Sequence, residues 1–145
     1  MRADGRLSAT LHALLHMAEA AGPLTSAELA ARLATDGAVV RRAMAGLREA
    51  GIVRSSKGHG GGWEIARPLA EVTLAEVYAA LGRPRLFALG LSGAEPGCLI
   101  EAEVNRSLGA VMDEAERLVA ARLEQVSLAE VLRRAIATRK GWTDA

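Results

Sequence analysis

A single cysteine, Cys98, excludes an intrachain disulfide. Aromatic residues are nearly absent: Trp63, Trp142, Tyr78 and Phe87 are the whole set. The core must therefore be built from Leu, Val and Ala, a composition that suits closely packed helices. No apolar run approaches the ~18 residues that a membrane-spanning helix needs. The opening stretch Met1-Arg2-Ala3-Asp4-Gly5-Arg6 lacks the apolar segment of a secretion signal. The expectation is a cytoplasmic protein with no membrane partner. Catalytic patterns are missing too. There is no Ser/His/Asp set and no HExxH motif. The glycines at 58–62 lack the following Lys-Ser/Thr and the strand-to-helix setting of a phosphate-binding loop. The chain is expected not to be an enzyme.

Hydrophobic residues make up 50% of the 145 positions, enough for one domain, or one domain plus an oligomerisation arm. The formal net charge is only +1, but it is unevenly placed. Met1 to Pro68 holds nine Lys/Arg against six Asp/Glu, a net of +3, whereas Leu69 to Ala145 holds nine against eleven, a net of −2. Within 41–57, Arg41, Arg42, Arg48, Arg54 and Lys57 face only Glu49. Such a local basic density is the electrostatic footprint of a phosphate-binding surface.

Apolar spacing predicts a helix over 7–21, ended by Gly22-Pro23. His12 and His16 lie one turn apart on it. An i, i+4 pair can ligate a metal, but no third ligand is near, so no metal site is expected. Thr25-Ser26-Ala27-Glu28 reads as a capping box opening a short helix to about Leu33. A tight turn, Ala34-Thr35-Asp36-Gly37, leads to a helix over 38–50, with Asp36 as its cap. On that helix Val40, Ala43, Met44 and Leu47 share the core face, while Arg41, Arg42, Ala45, Arg48 and Glu49 face away. Helix, four-residue turn, helix is the helix-turn-helix arrangement. Gly51 suits the left-handed position after the helix end. Residues 52–56 and 63–67 then form a hairpin around a basic tip with four glycines, Gly58, Gly60, Gly61 and Gly62, and Pro68 stops the second strand.

Thr73-Leu74-Ala75-Glu76 is a second capping box, opening a helix to about Leu81, and residues 83–98 are irregular. The longest periodic segment runs from about Leu99 to Val126, roughly 40 Å of helix. Val104, Leu108, Val111, Ala115, Leu118 and Arg122 form a heptad-like seam along it, widened by Leu123 and Val126. This stripe is longer than the N-terminal part can cover, so a twin helix in a second subunit is the expected partner. Packing back onto helix 7–21 is the alternative, but it accounts for only part of the length. Ser127-Leu128-Ala129-Glu130 is a third capping box, for a final helix to about Ala137, and 139–145 reads as a frayed tail. The expected fold is mainly α: a winged helix-turn-helix with a two-stranded β-wing and a long C-terminal dimerisation helix. The expected organisation is a DNA-binding unit 1–82, a loop 83–98, and a dimerisation helix with a C-terminal helix over 99–145.

With these residues in view, the chain resembles the bacterial winged-helix regulators of the IscR, NsrR and CymR type over about Arg6 to Ala137. The resemblance rests on Val39-Val40-Arg41-Arg42 and on Leu47 to Trp63 with its Gly60-Gly61-Gly62-aromatic wing. It rests also on Val72-Thr73-Leu74 with Val77 and Ala80. It implies a homodimer on a roughly palindromic double-stranded operator. Each recognition helix would enter a major groove and each wing tip a neighbouring minor groove, with the long helix as the dimer interface. Cluster-bearing members carry three closely spaced cysteines after the fourth helix, and this chain has only Cys98 there. No iron–sulphur cluster and no other cofactor is therefore expected, and the chain is most similar to the cluster-free branch. That branch has Asn-Pro where this sequence has Asp36-Gly37. A carboxylate there repels a phosphate, though it can accept from a cytosine amine.

Arg41 and Arg42, in the first turn of the recognition helix, are the leading candidates for base or phosphate contact. Arg48, Thr35 and Val39 join them, with a solvated helix face as the alternative. On the wing the candidates are Lys57, His59 and Gly60, where glycine lets the backbone approach DNA closely. Trp63 is expected to anchor the wing on the core. Cys98 precedes the long helix, whose N-terminus favours an anion. It is a candidate redox sensor, set against a plain role as a small loop residue beside Glu95, Glu101 and Glu103. The function expected is a homodimeric, sequence-specific transcriptional regulator, a repressor by type. The alternative is a winged-helix module for protein contact, which would need an apolar or acidic outer face on helix 38–50.

Overall fold

The structure, a computed structural model, describes residues 4–87, 89–93 and 97–143, with side chains described as far as Arg139. The elements run α1 (Arg6–Glu19), α2 (Ser26–Leu33), α3 (Gly37–Glu49), β1 (Val53–Ser56), β2 (Gly62–Ile65), a single 3-10 turn (Leu69–Glu71), α4 (Leu74–Ala80), α5 (Leu99–Glu124) and α6 (Leu128–Thr143). The fold is mainly α, a winged helix-turn-helix with a two-stranded antiparallel wing and a long C-terminal helix.

Local chemistry sets most boundaries. Thr25 Oγ1 accepts from the Glu28 amide at 3.2 Å, and Glu28 Oε2 accepts from the Thr25 amide at 2.7 Å, so α2 starts where both orphan amides are satisfied. The same reciprocal pair, Thr73 with Glu76, opens α4. Asp36 caps α3 by accepting from the Ala38 amide at 2.6 Å. Gly51 takes φ +70°, which lets the chain turn sharply from α3 into the wing.

One core holds the winged helix together. Ala13, Leu14 and Met17 of α1, Leu29 of α2, Val40, Met44 and Leu47 of α3, Ile52, Val53, Val72 and Val77 pack into it. Leu128, the first residue of α6, belongs to it as well and is fully buried. The chain is stitched there. The Leu74 amide donates to Val126 O and the Leu128 amide to Val72 O, both at 2.9 Å, on either side of a Thr73–Ser127 bridge. The helical hairpin α5–α6 is thus tied to the reading head at its turn.

Two expectations need correcting. α6 does not stop near Ala137. Its backbone stays helical to Thr143, so residues 139–143 are not a frayed tail, while Asp144 and Ala145 lie outside the described residues. No proline interrupts this stretch, the Thr138 hydroxyl donates to Arg134 O, and Arg139 pairs with Glu19 of α1 at 3.1 Å. β2 covers 62–65 rather than 63–67, although the ladder's last bond, from the Ala66 amide to Ile52 O, reaches one residue further. Packing of the long helix back onto α1, the alternative to a twin helix, is not among the main contacts. α5 lies mainly against α4, and it is α6 that meets α1.

Gly46 shows how closely α3 and α4 approach. A Cβ there would sit 2.4 Å from the carbonyl oxygen of Ala80. Alanine favours a helix interior by about 1 kcal/mol over glycine, but the clash is with backbone and cannot be relieved by a rotamer change. Gly46→Ala is therefore expected to destabilise the fold by a net ~1–3 kcal/mol, the usual cost of overpacking. A higher urea midpoint than wild type would contradict this contact.

The Glu76 carboxyl is held below its usual range, first by the Thr73 amide and further by Arg67 at 3.0 Å, with partial burial opposing. Because the folded value is lowered, its stabilisation is complete above the unfolded carboxylate range. It is lost as pH falls through the folded value. The drop in melting temperature between about pH 5 and 3 should therefore be smaller in Glu76→Gln than in wild type. Equal drops would show that Glu76 is not a main acid-sensitive contact.

Candidate nucleic-acid interface

α2 and α3 form the helix-turn-helix, and the turn between them passes through Ala34 at φ +50°. Val40, Met44 and Leu47 fasten α3 to the core. This leaves Arg41, Arg42 and Arg48 on the outer face with Thr35 and Val39, and all five are exposed. Val39 keeps 41% of its surface accessible. Among the described residues, none of the Arg41, Arg42, Arg48 and Lys57 side chains has a hydrogen bond or ion pair. Arg54 differs: it is engaged across the hairpin with Glu64 at 3.1 Å. The uncompensated charge of the reading head is therefore on α3 and at the wing tip. The Asp36 carboxylate, at the start of α3, is turned to its own Ala38 amide.

The wing is a short, tightly closed hairpin. β1 and β2 pair from Val53↔Ile65 to Ser56↔Gly62. The Gly61 amide donates to Gly58 O at 3.1 Å, and the Gly62 amide donates to Ser56 Oγ at 3.3 Å. Gly58 and Gly60 both take positive φ, +93° and +76°. A Cβ at Gly61 would meet Ser56 O at 2.5 Å, so the tip closes only with glycine there. Lys57, His59 and Gly60 are all exposed at this tip.

Trp63 anchors the wing, and the anchor is tighter than its sequence position suggests. Trp63 and Leu24 exchange backbone hydrogen bonds of 2.8 and 3.1 Å, and the indole N–H donates to Ser26 Oγ at 3.0 Å. The wing is thereby fastened to the segment that starts α2. Leu24 and Ser26 were not legible as part of the site. Their shared partner, Trp63, lies 37 residues beyond Ser26, outside any local pattern.

The seam of α5 is bare. The helix buries none of its residues, and Val104 and Leu108 are each 50% exposed, Val111 65% and Leu118 73%. Ala115 is half-buried and Arg122 exposed. Leu99 and Ile100 extend this apolar surface to the N-terminal end. Cys98 is exposed and stands at the N-cap of α5 without a side-chain cap bond, and Glu95, weighed with it, lies outside the described residues. His12 and His16 stack with ring centroids 4.6 Å apart, and burial with the neighbouring His12 charge pushes His16 below the usual histidine range. Among the described residues no group of three or more His, Cys, Asp or Glu could hold a metal ion, and no helix is long and apolar enough to cross a membrane.

No curated protein sequence matches the chain. Solved structures share the fold. IscR of T. potens is 19% identical over 93% of this chain and 88% of its own, with a TM-score of 0.65. CymR (YrzC), the global cysteine regulator of B. subtilis, is 18% identical over 92% and 98%, with a TM-score of 0.62. The oxidized form of Staphylococcus aureus CymR is 19% identical over 91% and 96%, with a TM-score of 0.63. Residues 4–134 match the profile of a family described as "Iron-dependent Transcriptional regulator", and with that match spanning the helix-turn-helix, the wing and α5, the chain belongs to the Rrf2 family of transcriptional regulators.

Proposed function

We propose that the chain is a homodimeric, sequence-specific DNA-binding repressor of the bacterial cytoplasm. Residues 1–82 serve as the reading head, 83–98 as a connecting loop and 99–145 as the assembly arm. The observation that carries this is the unpaired basic set Arg41, Arg42, Arg48 and Lys57 on the outer face of a helix-turn-helix and at the tip of a wing anchored beside it. The same outer face disfavours a protein-contact module, which would need apolar or acidic groups there. In this reading α3 enters the major groove, where Arg41 and Arg42 pair with guanine edges or phosphates. Thr35 and Val39 meet phosphates or thymine methyls. The Lys57–Gly60 tip approaches the minor groove, where a glycine backbone passes close to the sugar–phosphate wall. The bare stripe of α5 pairs with its twin across a two-fold axis, which makes the preferred operator a palindrome.

The family's description invokes iron, but this chain's donors do not fit a thiolate-held cluster. One cysteine per subunit is a third of a three-thiolate site, and carboxylates are poor ligands for a soft iron–sulphur centre. We therefore assign the chain to the cluster-free branch, with no iron–sulphur cofactor. Cys98 is the candidate redox group.

The test is a titration of duplex DNA at several salt concentrations. A dimer presenting each of the four basic groups twice meets at most about eight phosphates, so log K against log salt should fall with a slope no steeper than ~−7. A slope near zero would remove phosphate contact, and the reading with it. Repeating the titration after diamide, with Cys98→Ser beside wild type, separates the redox element. Loss of binding in wild type alone supports a thiol switch, and equal binding in both assigns Cys98 a structural role.

A further inference from the structure

Behind the N-terminal half of α3 lies a half-enclosed cavity of about 410 Å³, bounded by α1, α3, the α2–α3 turn and the end of α4. Its size falls in the range of small-molecule sites. The wall is apolar, with Ala13, Leu33, Val40 and Met44 among its residues. The exceptions are few and specific. Thr10, on α1, is 96% buried and lines the cavity, yet its hydroxyl has no hydrogen-bond partner among the described residues. Among the described residues no fully enclosed polar side-chain atom lacks a partner, so this hydroxyl keeps some solvent access. Arg6 and Arg42 line it as well. Arg6 is already paired with Asp4 at 2.6 Å, which leaves Arg42 as the cation without a partner.

The Thr10 hydroxyl is thus free to bond to a guest in place of water. A largely apolar cavity lined by one buried, unpartnered hydroxyl and one free guanidinium matches a defined ligand chemistry. We propose that this cavity binds a small amphipathic carboxylic acid carrying a hydroxyl remote from its carboxylate. The apolar body fills the chamber, the hydroxyl bonds to Thr10, and the carboxylate pairs with Arg42. The site borders Thr35, Val39 and Arg42, which the DNA-reading proposal also uses. Arg42 cannot serve a carboxylate and a DNA phosphate at once, so occupancy weakens DNA binding, and DNA weakens ligand binding by the same factor. This coupling rests on the regulator reading; the binding site does not.

The experiment is a methyl-detected NMR titration of the intact protein with 4-hydroxybenzoate, 4-hydroxycinnamate and 8-hydroxyoctanoate. Cinnamate, without the hydroxyl, and 4-hydroxycinnamamide, without the charge, serve as controls. The expected result is saturable shifts of the Ala13, Val40 and Met44 methyl signals by at least one hydroxy acid, with each control binding several-fold more weakly. Thr10→Val should erase the preference for the hydroxyl and leave cinnamate affinity unchanged. Arg42→Gln should erase the preference for the charge. If no hydroxy acid shifts these methyls in wild type, or if both preferences survive the substitutions, the site is overturned. Anisotropy with duplex DNA then reads the coupling: saturating ligand should lower DNA affinity by at least about fivefold. Ligand binding with unchanged DNA affinity overturns the coupling alone. Ligand binding by a protein with no DNA affinity would sink the regulator reading and leave the site standing.

Discussion

Replacing Arg41 and Arg42 together by alanine is expected to lower specific DNA affinity by roughly thirtyfold to twenty-thousandfold, the sum of two contacts worth about 1–3 kcal/mol each. The effect on folding should be small, because both side chains are exposed and hold nothing else in place. That contrast makes the prediction sharp. A solvated helix face would lose neither specificity nor affinity beyond a uniform electrostatic decrement. The single variants sort the roles. A residue that pairs with a base edge relaxes specificity at one position of the site, whereas a phosphate contact weakens all sequences alike and flattens the salt slope by about one unit. Arg48, further along α3, is expected to behave in the second way. Competition titrations against a set of single-base variants of the operator provide the measurement.

Charge on the α5 stripe should be as damaging by a different route. Leu108→Glu with Leu118→Glu places two carboxylates on a surface that is solvent-exposed in the single chain, so the protomer itself stays folded. In the proposed dimer the same positions lie between two helices, where an unpaired charge costs several kcal/mol. Sedimentation should show a monomer where wild type is a dimer. Affinity for a two-half-site operator should fall by about a hundredfold or more, since two linked heads gain avidity that one cannot. Wild-type protein sedimenting as a monomer at the concentrations where it binds DNA would refute the role given to this helix.

Much of the reading head is visible in the sequence because its determinants are local. Thr25 with Glu28, Thr73 with Glu76, Asp36 before α3 and Gly51 after it each act within four residues of themselves, and each falls where the spacing predicts. The start of α5 at Leu99 follows the onset of its apolar period. What the sequence hides is what closes the fold over distance. Trp63 finds Ser26 and Leu24 across nearly 40 residues. Leu128 returns from the far end to fill the N-terminal core, and Gly46 admits the Ala80 carbonyl. Neither periodicity nor turn chemistry encodes those meetings. The cavity beside Thr10 is hidden for the same reason: its walls come from four separate stretches of chain. The length of α6 escaped for another. Gly141 looks like a helix end, but one glycine costs only about 1 kcal/mol in a helix, and the turns before it are held by Thr138 and by the Arg139–Glu19 pair.

Selection of binding sites from a random pool of duplex DNA, with the purified reduced protein, tests the central claim most directly. The account predicts a two-fold symmetric motif whose half-sites are separated by about one helical turn or a multiple of it. Its enrichment should vanish in Arg41→Ala/Arg42→Ala. Weak binding spread evenly over all sequences, with no motif emerging, would contradict it.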